Sequence, residues 1–325
     1  MSAGSARLVV VGENVMDLLP TGHGPGILRA APGGGPANTA VAAARLGLPT
    51  RLLARIGSDG FGGLIRDRLL AEGLDPSGLV TAPEPSALAL ATLAADGSAR
   101  YDFRMDDAAD WRWGPGELPE SLGDGVRAVH AASIALFREP GASRIGALLR
   151  REHDRGRVTV TLDPNIRQDV VGDPDAARAL ALHHAAHAHV VKASDEDLDF
   201  LYPGRTPAEA AQALAALGPA LVVVTLGGDG ALALSHGVTA SVTVPQVEVV
   251  DTVGAGDSFM GALLHRLDLD GRLGSDPRSR LTGLTGAALA DLLSYAAAVA
   301  AHTVTREGAD PPTAAELAAG PVRGG

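Results

Sequence analysis

Cysteine is absent from the 325 residues, so the chain has neither a disulfide framework nor thiol chemistry, and a reducing cytoplasm suits it. Lysine is nearly absent too: Lys192 stands alone among arginines. No GxxxxGK[ST] sequence occurs, which excludes a P-loop nucleotide site. No apolar run reaches membrane-spanning length free of charges. The N-terminal run at Leu8 to Val11 is broken by Gly12, Glu13 and Asp17, too short and polar for a span or a signal peptide. The formal net charge of −11 argues against nucleic acid as a partner.

What is present is length and alternation. A chain of this size can bury a large core, and one α/β domain over 1–320 fits better than several domains. Apolar strand-like runs at 8–11, 51–56, 128–131, 158–162, 190–192 and 221–225 alternate with helical ones. The helical runs fall at 36–46, 61–72, 141–153, 175–186, 207–216, 256–267 and 287–301. That is the pattern of βαβ units on a mostly parallel sheet flanked by helices. Segments 13–32 and 84–107 break it with extended, mixed-polarity stretches that predict a small antiparallel lid. Residues 266–286 read as an exposed excursion and 321–325 as a frayed tail.

Residues 251–259, Asp-Thr-Val-Gly-Ala-Gly-Asp-Ser-Phe, carry the most chemical information. They lie between an apolar strand-like run (Val242, Val244, Val247, Val249, Val250) and a helical one from Met260. Gly254, Ala255 and Gly256 therefore sit where a helix starts, with N–H groups unblocked and the positive dipole end exposed, an anion site. Asp257 stands in the first turn beside it, where its ionised form is favoured. Donors for an anionic group beside an acceptor for a hydroxyl proton are what phosphoryl transfer to an alcohol needs. The plainer reading is a Gly-rich turn with Asp257 complementing the dipole.

A second Gly-rich block runs from Pro32 to Asn38 into a helical stretch. Pro36 suits the first helical position and Gly47 the stop. Gly33 and Gly34 let a ligand approach the backbone, and Asn38 can donate to and accept from hydroxyls of a ligand. Asp163-Pro164-Asn165-Ile166-Arg167 follows a strand, at the edge where open α/β sheets bind ligands. Arg167 offers a planar fork for a phosphate; an ordinary turn is the alternative. The acidic residues after Ser194 either hold water around a magnesium ion or only cap a helix. Thr225 to Gly230 reads as a hairpin turn.

Other features carry no site. His183 and His187 have zinc-type spacing but lack a third ligand nearby. Asp268-x-Asp270-Gly271 is not a calcium loop, because Arg266 and Pro277 stand at its first and last ligand positions. Trp111 and Trp113 read as packing at the lid's return.

The two Gly-rich blocks, in this order at opposite ends of the chain, resemble the signatures of the ribokinase-like (PfkB) carbohydrate kinases, nearest to their fructokinase branch. The resemblance implies a ribokinase-like fold and ATP-dependent phosphorylation of a sugar hydroxyl, first of all that of fructose or a related ketose. It implies Asp257 as general base, and Asp17, Gly33, Gly34 and Asn38 around the sugar. Arg104, in a Phe103-Arg104 lid segment, would close over it. Asn165, Arg167, Lys192, Thr225, Gly227 and Gly230 would face the nucleotide. Magnesium would bridge its phosphates, with Asp197 reaching through water, and potassium would lie beside the anion hole at Asp251. The family's usual Asn-x-x-Glu is here Ser194-x-x-Asp197, which shortens the acidic arm. A homodimer through the lid is a further implication. Alternative acceptors are 2-keto-3-deoxygluconate, whose carboxylate needs an extra arginine, and a nucleoside. From another class, a catalytically idle sugar-binding regulator has only the Ser194 and Asp197 departures in its favour.

Overall fold

The computed structural model describes residues 6–21, 27–93 and 99–320; the expected tail 321–325 lies outside them. Seven strands are β1 (Leu8–Val11), β2 (Met16–Pro20), β3 (Leu28–Pro32), β4 (Thr50–Gly57), β5 (Leu79–Ala82), β6 (Leu88–Leu93) and β7 (Ala99–Arg104). Six follow: β8 (Ala128–Ala132), β9 (Thr159–Asp163), β10 (Val190–Ser194), β11 (Leu221–Thr225), β12 (Ala231–Ser235) and β13 (Val238–Val242). The helices of the first half are α1 (Gly35–Arg45), α2 (Gly60–Ala71), α3 (Gly141–Arg155), α4 (Pro174–Ala186) and α5 (Asp195–Leu201). Those of the second are α6 (Pro207–Ala215), α7 (Ala255–Leu269), α8 (Pro277–Leu281), α9 (Gly286–Thr303) and α10 (Ala314–Ala319).

The larger sheet runs β13-β12-β11-β10-β9-β8-β1-β4-β5, parallel from β11 to β5 and antiparallel at the β11–β12 and β12–β13 pairs. Strand alternation explains why both faces are covered. Leu8 and Val10 of β1 enter one core with α1, α7 and α9, whereas Val9 and Val11 enter another with α3 and α6. In β11, Leu221 and Val223 divide from Val222 and Val224 in the same way. Each such side chain removed from water contributes about 1.5–3 kcal/mol.

The second sheet, ordered β3-β2-β6-β7, comes from segments 13–32 and 84–107. It is mixed rather than antiparallel. Two antiparallel hairpins are joined by the parallel β2–β6 pair, since the two segments arrive from the same side of the larger sheet. Among the described residues no helix is long and apolar enough to cross a membrane.

Two expectations fail locally. The valine run before residue 251 is not a strand after Val242: Val249 and Val250 are exposed, and Val250 N–H bonds the Val304 carbonyl outside any sheet. Pro245 offers no donor with which to extend the ladder. Residues 266–286 are only in part an exposed excursion. α7 continues to Leu269, and Leu273, Leu281 and Leu284 are buried in the core. Trp111 and Trp113 are buried as expected, with the Arg138 guanidinium 5.0 Å from the Trp111 ring centre. In the histidine-rich stretch, His184 and His189 are buried, and His189 Nδ1 accepts the Val160 N–H at 3.0 Å.

Candidate active site

A concavity of about 570 Å³ opens at the carboxyl ends of the parallel strands, between the two sheets. It is centred on the start of α7. Gly254 caps that helix with φ +76, a conformation that favours glycine, and a β-carbon there would lie 2.5 Å from Ala309 Cβ. Of the expected anion donors, Gly254 and Gly256 line the concavity but Ala255 does not; its N–H turns to the Thr252 carbonyl at 3.3 Å. Lys192 Nζ strengthens the site, lying 3.1 Å from where a β-carbon on Gly256 would stand. The ammonium is fixed by Asp163, at 2.9 Å, with both side chains buried. Asp163 itself keeps one buried carboxylate oxygen without a partner.

Asp257 meets Asn38 across the α1–α7 crossing. The helices approach closely because Gly261 carries no side chain: a β-carbon there would stand 2.7 Å from Ala42 Cβ and 2.9 Å from the Thr39 carbonyl. Asn38 Nδ2 then donates to Asp257 Oδ2 at 3.0 Å. Gly35 leaves room for the pair, since a β-carbon on it would be 3.2 Å from Asp257 Oδ1 and 2.8 Å from Asn165 Nδ2. The carboxyl of Asp257 is pushed above its ordinary value by burial, against the Asn38 hydrogen bond and the Lys192 charge. Burial therefore outweighs these stabilising partners, the reverse of the expectation from sequence.

Asp17, at the start of β2, faces the same concavity. Gly33 must lack a side chain for it to do so, because a β-carbon would lie 2.3 Å from Asp17 Oδ2. Burial pushes its carboxyl up to about 6; the Arg68 charge opposes this and that of Asp257 adds to it. Gly34 also lines the cavity. Asn165, in the left-handed region at φ 40, lines it with Arg167, whose charge holds Asp257 down.

Other expected residues are not brought there. Arg104 points away: it is 71% exposed and paired with Asp102 at 2.7 Å, while Phe103 and Met105 on either side line the cavity. Alternation along β7 decides this, since neighbouring side chains leave opposite faces. Asp197 is buried rather than open to water. One oxygen accepts the Ile166 N–H at 2.7 Å, and the other accepts the N–H and hydroxyl of Ser194 at 2.9 and 2.8 Å. This capping box ties α5 to the 163–167 loop, and the adjacent Glu196 lines the cavity in its place. Thr225, Gly227 and Gly230 lie outside the concavity, at the β11–β12 turn, with Thr225 beside Ser194 in register. Asp251 accepts the Val253 and Gly308 N–H groups at 3.0 and 2.8 Å, pinning the turn before α7 to the loop after α9.

Two buried carboxylates were not singled out from sequence. Glu13 lines the cavity and accepts the Ala135 N–H at 3.0 Å; burial pushes its carboxyl up. Asp110 accepts the Asn14 N–H at 2.6 Å and that of Ala87 at 3.4 Å, tying the exit of β1 to the entry of β6. Glu13 had one legible signal, its place just past β1, on the stretch that leads into Asp17 at the start of β2.

Residues 5–316 match the pfkB family carbohydrate kinases. A "Probable fructokinase-3" of Arabidopsis thaliana is 34% identical over 319 residues, covering 95% of this chain and 89% of its own length. A crystal structure of fructokinase from Xylella fastidiosa with bound ATP superposes with a TM-score of 0.86 at 26% identity, over 96% of this chain and 97% of that one. Another, of the Vibrio cholerae O395 fructokinase with fructose, ADP and calcium, gives 0.83 at 31% identity, over 98% and 99%. With Asp257, Asn38 and Lys192 gathered at the start of α7, this chain belongs to the pfkB family of carbohydrate kinases.

Proposed function

We propose that this kinase transfers the terminal phosphoryl group of ATP to a hydroxyl of fructose. The observation that carries the reading is the Asn38–Asp257 contact of 3.0 Å beside the Lys192 ammonium, at a helix N-terminus open to a cavity. The fructokinases to which the chain is similar supply the acceptor. Asp17, Gly33, Gly34 and Asn38 hold the sugar; a carboxylate accepts hydroxyl protons well. The sugar oxygen attacks the terminal phosphorus, the bond from that phosphorus to ADP breaks, and the hydroxyl proton passes to Asp257. The Gly254 and Gly256 N–H groups and Lys192 receive the moving negative charge. In a loose transition state little proton removal is needed early, so a carboxylate suffices as base. Its raised pKa brings it nearer the operating pH.

Asn165 and Arg167 face the nucleotide phosphates, and Thr225, Gly227 and Gly230 its more distant part. Among the described residues no three carboxylate, histidine or cysteine side chains are placed to cage a metal ion. Glu196 and Asp169 line the cavity, a sparse oxygen set that fits magnesium retaining its water and held through nucleotide phosphates. When bound, such an ion neutralises phosphate charge. Each oxygen of Asp251 accepts one hydrogen bond and keeps a lone pair, which fits potassium beneath the turn. Exposed Ile27 and Leu28 on the smaller sheet supply the contact for a homodimer.

The test is ADP formation over a panel of fructose, ribose, 2-keto-3-deoxygluconate and adenosine, with wild type and Asp257→Asn compared. Wild type is expected to turn over fructose fastest. The variant should bind fructose by calorimetry yet lose on the order of 10²–10⁴-fold in kcat. Unchanged turnover would remove Asp257 from the mechanism, and preference for another acceptor would reassign the substrate.

A further inference from the structure

A second concavity, of about 680 Å³, lies on the opposite edge of the larger sheet and belongs to no part of the kinase chemistry. Arg127 immediately precedes β8 and Arg157 stands two residues before β9, so this pocket is at the amino ends of the strands. At about 3.3 Å per residue, a five-residue strand separates it by roughly 16 Å from the carboxyl ends that carry the active site.

In a chain of net charge −11, its lining is basic. Arg127, Arg157 and Arg280 converge there, and Asp124 is the single carboxylate among the lining residues. Asp268, buried behind the pocket, pairs with Arg7 at 2.7 Å and also with Arg127 at 3.3 Å, so Arg7, Arg127, Arg157 and Arg280 stand against Asp124 and Asp268. Two positive charges are therefore left uncompensated.

The arginines are set up for a ligand to different degrees. Arg280 is splinted: its Nε donates to the Ser275 carbonyl at 2.7 Å and its Nη1 to the Gly271 carbonyl at 2.9 Å, leaving Nη2 to a ligand. Arg157 is exposed and has no hydrogen-bond or ion-pair partner among the described residues. Gly125 and Gly271 bring backbone to the pocket without side chains, and the Ser275 hydroxyl is a further donor. The 271–275 loop is held in place, with Gly274 N–H bonded to Thr159 Oγ1 at 3.1 Å and Asp276 N–H to the Gly156 carbonyl at 2.9 Å. It is built, not frayed.

We propose that this pocket binds a phosphate dianion, either free inorganic phosphate or the phosphate of a small monoester. Planar guanidinium forks match phosphate oxygens, and two uncompensated charges match a dianion. The volume lies within the usual range for small-molecule sites.

Calorimetric titration with inorganic phosphate, glucose 6-phosphate and AMP tests it, using wild type, Arg157→Glu and Arg157→Ala, with Arg167→Glu as the cleft control. Two classes of site are expected in wild type. Arg157→Glu should weaken one class at least tenfold and Arg157→Ala less so, while both leave ADP formation in phosphate-free buffer unchanged. Arg167→Glu should weaken only the other class. Binding of inorganic phosphate alone would identify a phosphate sensor, and binding of the esters alone a metabolite site; either supports the proposal. Affinities within twofold of wild type in Arg157→Glu overturn it, as does a single class abolished by Arg167→Glu.

Discussion

The floor and the roof of the active-site cleft are made from unlike material. On the floor, Asp257, Lys192, Asp163 and Asp197 sit on or beside helices and strands of the nine-stranded sheet, each fixed by a neighbour at 2.7–3.0 Å. The roof is a four-stranded sheet that, apart from Asp17 on β2 at its inner margin, contributes the apolar Ala89, Phe103 and, just past β7, Met105, while its charged Arg104 points outward. Charge on the floor is buried and held, so it costs no reorganisation at the moment of reaction. The roof supplies exclusion of water, which needs shape more than charge. Substitutions should therefore hurt in proportion to how deeply they cut into the floor.

Lys192 gives the largest effect expected outside the proposed base, Asp257. Lys192→Met leaves Asp163 buried without its cation, and breaking a buried pair costs about 3–5 kcal/mol. Chemical denaturation should show that loss at neutral pH. The double variant Lys192→Met, Asp163→Asn should regain stability but not kcat, because the cation at the α7 N-terminus is still missing. Equal stability of single variant and wild type would mean that the pair is not the buried clamp described above.

Next comes Asp17, which stands where floor meets roof. Its carboxyl is raised to about 6 from an unfolded value near 3.8. The stability linked to this group is thus complete below the unfolded value and is lost as pH rises through about 6. At neutral pH the ionised carboxylate is a destabilising element, and sugar hydroxyls donating to it would relieve that. The KM for sugar should accordingly rise as pH falls through about 6. Hydrogen bonds to a charged group are worth about 1.5–3 kcal/mol, so Asp17→Asn should raise KM roughly 10–100-fold. The variant's KM should also be flat across the same pH window. A wild-type KM independent of pH between 7.5 and 5.5 would place the sugar elsewhere.

The same contrast governs what could be read in advance. Strands buried on both faces, such as β1 and β11, announce themselves as continuous apolar runs, and helix starts at Pro36 and Gly254 are written in local residue chemistry. Asp257, Asn38 and Asp17 were legible because each sits beside such a signal. Asp110 was not: its partner Asn14 is 96 residues away, and nothing near either residue marks the contact. The valines before Asp251 misled because hydrophobicity without a pairing neighbour makes no strand, and Val249 and Val250 lie exposed. Asp197 carried the right chemistry for a water-held metal, but the Ser194 cap and the Ile166 N–H hold it buried and outside the cavity lining.

The smallest effect is expected from Arg104, although the family resemblance gives it a substrate role. In β7 a residue shares its face with those two away, so Phe103 and Met105 inward requires Arg104 outward. A rigid descent of the smaller sheet would tighten the apolar contacts and still leave the guanidinium on the far side. Only a one-residue slip of β7 against β6 would reverse it, and that would also carry Phe103 and Met105 out of the cleft. Its pair with Asp102 is exposed, and such pairs contribute about 0–1 kcal/mol. Arg104→Ala should therefore change kcat/KM by less than about fivefold. Met105→Ala, which opens the roof, should cost more. A loss of a hundredfold or more in Arg104→Ala, with wild-type unfolding, would show that β7 changes register when sugar binds, and β7 would then supply charge after all.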